Sequence, residues 1–196
     1  QIDDLLATIR EEAERLDRFV GNLLDMSRLE AGVLGAKPES VDVADLVATA
    51  AKRLTRRLSG YRLELDLPPD LPQVLVDSLL LEQAIFNVLD NAVKYAPTGT
   101  TVRIQARRAP SQVVLTVQDE GPGIPPDALS HIFDKFYRAK AADRRVAGTG
   151  LGLAVARGFV EAFGGHLDAA NRADRSGAVM TITLPIASES GNGHGR

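Results

Sequence analysis

The chain has 196 residues, 44% of them hydrophobic and 25% charged, with 23 Lys and Arg against 26 Asp and Glu for a net charge of −3. That length holds one good-sized core plus an appendage, and so even a charge balance argues against nucleic acid as the main partner, because neutralising phosphates takes clustered cations. Cysteine is absent, which excludes a disulfide framework and a thiolate metal site; no apolar run is long enough to cross a bilayer and no signal-peptide pattern opens the chain.

Residues 1 to about 31 read as one long amphipathic helix. Ile2, Leu5, Ile9, Leu16, Phe19, Leu23 and Met26 fall on a and d positions of a heptad, Leu6, Ala13 and Val20 widen the stripe, and Glu12 interrupts it. So wide a stripe suits a helical bundle better than a two-stranded seam. Arg10, Glu11, Glu14, Arg15, Asp17 and Arg18 between them form a solvated face. The stretch from Gly32 to Pro38 breaks the helix. It marks off an element that buries its stripe against another chain, the alternative being a helix packed on its own domain. Opening in mid-pattern at Gln1, the sequence reads as a piece of something longer.

A second unit starts near residue 40. Ser40 to Val43 is a short extended entry, Ala44 to Leu58 is helical, Tyr61 to Leu67 alternates as a strand, and Gln73 to Val76 is again extended. Asp77 is placed to cap a helix that ends before Pro97. Thr101–Arg107 and Val113–Gln118 read as a hairpin, Pro126–His131 as a helical turn, and Ala139–Val146 as a polar, basic, mobile loop. Gly152–Phe163 is helical, Gly164 and Gly165 stop it, and His166–Ala170 and Val179–Leu184 are the last two strands. The expected class is α+β: a two-layer α/β sandwich with helices on one face of a mixed, mostly antiparallel sheet.

The chemistry concentrates in three runs. In NVLDNAVKYAP (87–97), Asn87 and Asn91 stand four apart and share one helix face. The runs DEGPGIP (119–125) and GTGLGL (148–153) follow, each able to line a pocket with backbone N–H groups. Amide oxygens on a helix, a carboxylate on one glycine turn and a second glycine turn opening a helix make a plausible cradle for a magnesium nucleotide.

In this order the runs resemble the N, G1, F and G2 boxes of sensor histidine kinases, members of the ATP-binding superfamily shared with gyrase, Hsp90 and MutL. REEAERLDRFVGNLLDMSRLEAG and GTGLGLAVARGFVEAFGG are similar to segments of the potassium-sensing KdpD kinases. The resemblance implies the Bergerat ATP-binding fold over residues 40–187, preceded at 1–33 by the second helix of a dimerisation and phosphotransfer bundle and followed at 188–196 by a disordered tail. It implies ATP and Mg²⁺ as cofactors, Asn91 as the metal ligand and Asn87 reaching the phosphates or the metal shell. Relatives that hydrolyse ATP carry a Glu at the position of Asn87, and an amide cannot accept a proton from water. Lys94 would lean on the phosphates and Tyr95 cover the adenine. Asp119 would accept from the adenine amino group, with Gly121, Gly123 and Ile124 around the base. Phe133 and Phe136 would pin the lid, and Arg138 would meet the γ-phosphate. Gly148, Thr149, Gly150, Leu151 and Gly152 would turn their amides to phosphate. Lys135, Lys140, Arg144 and Arg145 read as solvated.

The catalytic set implied is Asn87, Lys94 and Arg138. None of His131, His166 and His194 has the acidic-polar-Arg-x-Pro context of a phospho-acceptor, so the acceptor is expected upstream of Gln1. The implied partners are a response-regulator receiver domain and a second copy of the full-length protein, a cytoplasmic domain anchored in the inner membrane through segments absent here. Two alternatives stay open: an ATPase switch of the gyrase or Hsp90 kind, and a non-catalytic nucleotide-binding or dimerisation module.

Overall fold

The structure, a computed structural model, describes residues 2–139 and 148–187. The loop expected at Ala139–Val146 therefore lies outside the described residues from position 140 on, as do Lys140, Arg144, Arg145, His194 and the tail from 188.

Helix α1 (Ile2–Glu30) opens the chain. It stops in a Schellman closure: Val33 N–H donates to Arg28 O, Gly32 N–H donates to Leu29 O, and Gly32 takes φ 65°. Strand β1 (Glu39–Val41) pairs antiparallel with β3 (Val74–Val76). Between them lie α2 (Val43–Arg53), α3 (Thr55–Leu58) and β2 (Arg62–Asp66). The helix expected over 44–58 is thus two helices, parted at Leu54, whose φ −97° and ψ 7° leave the helical region.

Helix α4 (Ser78–Tyr95) starts as expected at Asp77, whose Oδ1 accepts from the N–H groups of Leu79 and Leu80. The other oxygen, Oδ2, accepts from Lys37 N–H at 2.9 Å and ties the connection after α1 to the start of α4. Strands β4 (Thr101–Ala109) and β5 (Gln112–Gln118) form the expected hairpin. Residues 126–131 form hydrogen-bonded turns, Leu129 N–H to Pro125 O and Ile132 N–H to Ala128 O. Then come α5 (Gly152–Ala162), β6 (His166–Asn171) and β7 (Ala178–Pro185).

The main sheet runs β2-β4-β5-β7-β6, with β2 and β4 parallel and the other neighbours antiparallel. Its alternation sets the layers. Ile104, Leu115, Val117, Leu167, Met180 and Ile182 are buried in the core with Leu81, Ile85 and Leu89 of α4 and Phe159 of α5. Arg103 on the opposite face pairs with Glu64 of β2 at 2.7 Å.

Only the C-terminal part of α1 joins this core among the described residues: Met26 and Leu29 pack against it, as does Leu34 beyond the helix. Leu29 lies over Gly158 of α5, its Cδ1 2.7 Å from where a Cβ would stand. Ion pairs Glu14–Arg56 and Glu30–Lys135 add to the contact. The remaining stripe is open to solvent, with Ile2 75% exposed and Leu5, Leu6, Ile9, Leu16, Val20, Leu23 and Leu24 all exposed.

Candidate nucleotide site

The three runs singled out above meet on one side of the domain. Asn87 and Asn91 do share a face of α4, yet their surroundings differ. Asn87 is 7% exposed; its amide donates to Gly152 O at 3.1 Å and its Oδ1 accepts from Gln83 at 3.4 Å. Both ends of this side chain are engaged within the protein, so it ties α4 to the start of α5. Asn91 is half-buried, and its side chain has no hydrogen-bond partner among the described residues.

Lys94, one turn on, is half-buried, with its ammonium 5.1 Å from the Tyr95 ring centroid. A Cβ on Gly148 would collide with Lys94 Nζ, so this lysine rests directly against the second glycine turn. Burial holds Lys94 below the usual lysine range; Asp90 opposes that, and the charges of Arg138, Arg57 and Arg15 deepen it. Asp90 is itself paired with Arg57. Burial likewise pushes the Tyr95 phenol up, against the charge of Arg138. Arg138 is exposed, and its guanidinium is felt by both Lys94 and Tyr95.

Asp119 is the buried acid of the site at 7% exposure. Its Oδ1 accepts from Gly121 N–H at 2.8 Å and Ala178 N–H at 3.1 Å. Oδ2 has no partner among the described residues and is not sealed off, so it faces open space. Burial raises the Asp119 pKa, while the Gly121 and Ala178 N–H groups and then Arg172 pull it back. Gly177 closes the floor: a Cβ there would run into Asp119 O and lie 2.7 Å from Arg172 Cδ.

Three residues here had no signal in the sequence. Asn171 clamps Ile124 from both sides, accepting from its N–H at 2.6 Å and donating to its carbonyl at 2.8 Å. Arg172 reaches Asp119 O at 3.4 Å and holds Asp174 at 2.8 Å. Ser176 donates to Gly121 O at 2.7 Å.

The second glycine turn is shaped by Phe136. Gly150 takes φ 72°, and a Cβ on it would stand 2.6 Å from the Phe136 carbonyl carbon; Phe136 N–H donates to Gly150 O at 3.0 Å. Phe136 itself has φ 62° and its ring is 61% exposed. Phe133, expected beside it, is half-buried and packs against the core, with Arg157 stacked 5.0 Å from its ring centroid. Thr149 Oγ1 accepts from Leu151 N–H at 3.3 Å, Leu151 is fully buried, and α5 begins without a side-chain cap. No side chain takes up its first-turn N–H groups, which suits an anion.

These features fit an adenine nucleotide: an open carboxylate oxygen for an exocyclic amine, glycines where a side chain would run into the walls of the site, and cations beside an uncapped helix start. They fit Mg²⁺ shared with phosphates better than a metal caged by protein, since no group of three or more His, Cys, Asp or Glu able to hold a metal occurs among the described residues.

The family described as "Histidine kinase-, DNA gyrase B-, and HSP90-like ATPase" matches residues 76–188. The chain belongs to that family. Among curated relatives, the sensor protein KdpD of Clostridium acetobutylicum is 36% identical over 184 residues, 93% of this chain and 20% of the relative. The solved structure of the mycobacterial sensor histidine kinase MprB has 34% identity and a TM-score of 0.68, covering 76% of this chain and 98% of that one. A full-length ShkA solved with AMPPNP has 29% identity and a TM-score of 0.76 over 92% of this chain and 38% of that one. The chain thus carries the catalytic domain of sensor histidine kinases and spans about a fifth of the KdpD length. Its sheet and helices are those of the expected ATP-binding fold. No helix among the described residues is long and apolar enough to cross a membrane.

Proposed function

We propose that this chain is the ATP-binding catalytic region of a two-component sensor histidine kinase, with residues 40–187 as the catalytic domain and 1–33 as the second helix of the dimerisation bundle. The observation that carries the reading is at Asn87. Where an ATPase would need a carboxylate to activate water, this site has a buried amide spent on Gly152 O. A site that binds ATP without a general base beside the γ-phosphate spares it for another acceptor.

Asp119 Oδ2 would accept from the adenine 6-amino group, and Tyr95 would lie over the base. The α5 start and the Gly148–Gly152 amides would hold the phosphates with Lys94 and Arg138. Asn91 would hold Mg²⁺, which would neutralise charge on the phosphate oxygens. Transfer breaks the bond from the γ-phosphorus to the bridging oxygen of ADP and forms a bond to an imidazole nitrogen of a histidine outside this chain. Positioning and charge stabilisation carry the rate. Onward transfer to an aspartate of a response-regulator receiver domain follows, in a dimeric, membrane-anchored protein whose catalytic region is cytoplasmic. The complex of the similar ShkA with AMPPNP, an ATP analogue, supports the ligand class.

His131 and His166 are exposed and pair with Asp134 at 2.7 Å and Asp168 at 3.2 Å. With γ-labelled ATP and Mg²⁺, the chain is expected to bind nucleotide and acquire no acid-labile phosphohistidine. A separate polypeptide carrying the upstream acceptor helix should be labelled, slowly, because mixing lacks the effective concentration of a single chain. Self-labelling at any of its histidines would overturn the phosphate route, and rapid release of free phosphate without an acceptor would favour an ATPase.

A further inference from the structure

A cavity of about 560 Å³ lies between α1 and the second glycine turn, lined by Glu12, Arg15, Leu16 and Phe19 on one side and Phe136 and Thr149 on the other. Thr149 belongs to the run that would cradle phosphate, and Phe136 is hydrogen-bonded to Gly150 within it. One wall is therefore the nucleotide site and the other is a helix with no role in it so far. Arg15, which reads from the sequence as part of a solvated face, is the cation in that lining.

Its present partner is Glu12, 3.3 Å away and one turn back, with side chains 48% and 62% exposed. A pair so exposed holds its partners weakly. Arg15 is also close enough for its charge to act on Lys94, together with Arg57 and Arg138. Arg15 thus acts on the same ammonium as the cations of the glycine turn, and among the described residues the carboxylate that opposes them at Lys94, Asp90, is shared with Arg57. Positive charge gathered on both walls of one cavity favours an anion between them.

We propose that Arg15 is a further phosphate-binding residue: α1 contributes a guanidinium to the polyphosphate of the bound nucleotide, and Glu12 is the partner that Arg15 gives up to reach it. This rests on the nucleotide reading above. An arginine fork suits phosphate oxygens better than it suits a single exposed carboxylate one helical turn away. Removing Glu12 frees the fork and takes a negative charge from the cavity wall, so the two partners have opposite effects on binding.

The test is calorimetric titration of the whole chain with ATP and with adenosine, in wild type, Arg15→Gln and Glu12→Gln, with circular dichroism to verify the fold. Arg15→Gln is expected to weaken ATP about tenfold, the scale of one charge-assisted contact, and to leave adenosine unchanged. Glu12→Gln is expected to tighten ATP about threefold. Unchanged ATP affinity in Arg15→Gln, or an equal loss for adenosine, overturns the assignment; weaker ATP binding in Glu12→Gln overturns the exchange of partners. A wild-type chain that binds no ATP would sink the nucleotide reading itself, and this inference with it.

Discussion

Asp119 sits in the fold at a cost. Burial raises its pKa, so the folded state holds the proton more tightly than the unfolded chain does. Stability from this group therefore falls as pH rises from the unfolded value through the raised folded one, and the full cost is present above it. Asp119→Asn keeps an oxygen for Gly121 and Ala178 and removes the charge. It should melt no lower than wild type at about pH 7, with any advantage shrinking toward about pH 4 as the wild-type carboxyl protonates. Binding should move the other way: ATP affinity about tenfold weaker and preference over GTP eroded, because an amide can turn to suit either base. Melting curves at both pH values and competition titrations check the pair of outcomes. Asn91→Ala should lose about 1–3 kcal/mol of Mg²⁺-dependent nucleotide affinity with the fold intact, measured by titration with and without Mg²⁺. The boxes that hold these residues were legible because each is a short local run. Asn171 was not: its partner Ile124 lies 47 residues away, and only the closure of β6 and β7 onto the first glycine turn brings them together.

At the scale of elements, periodicity and caps placed nearly every helix and strand, since alternation in β4, β5 and β7 and the Asp77 cap are written in neighbouring residues. The order of strands was not, because a β2–β4 parallel pair across α4 is decided by packing on a shared core. Nor was the docking of α1, whose amphipathic stripe says that a face must be covered without saying by what. Gly158 records the answer. In the middle of α5 a glycine costs about 0.5–1 kcal/mol relative to alanine, and Leu29 occupies the space that its side chain would take. Gly158→Ala alone should therefore stabilise little, as helix propensity is offset by displaced Leu29. In a Leu29→Ala background the same change should recover about 0.5–1 kcal/mol. Thermal or denaturant unfolding of the four proteins in this cycle reads the coupling, and equal effects in both backgrounds would remove Leu29 from the contact.

For the whole molecule, α1 is docked at one end and bare along most of its length. Ile2, Leu5, Ile9 and Leu23 expose an apolar face too long to leave wet without consequence. Replacing Ile9 and Leu23 with Lys should abolish self-association in sedimentation while ATP binding persists, since neither lines the cavity beside the glycine turn. Loss of binding as well would mean that these positions support the catalytic domain. Asp77 gives this helix a mechanical connection. One of its oxygens starts α4 and the other grips Lys37, so the segment free to bend after α1 is shortened to the few residues between Gly32 and that grip. Torque on α1 then has a route into the first turn of α4, beside the route through Leu29 into α5. About 20–25 Å further along the same rod, at 1.5 Å per residue, stand Asn91 and Lys94. A stiff helix clamped at its start behaves as a pushrod, so a twist delivered upstream should reach the groups proposed to hold phosphate and metal with no need to loosen the sheet beneath them.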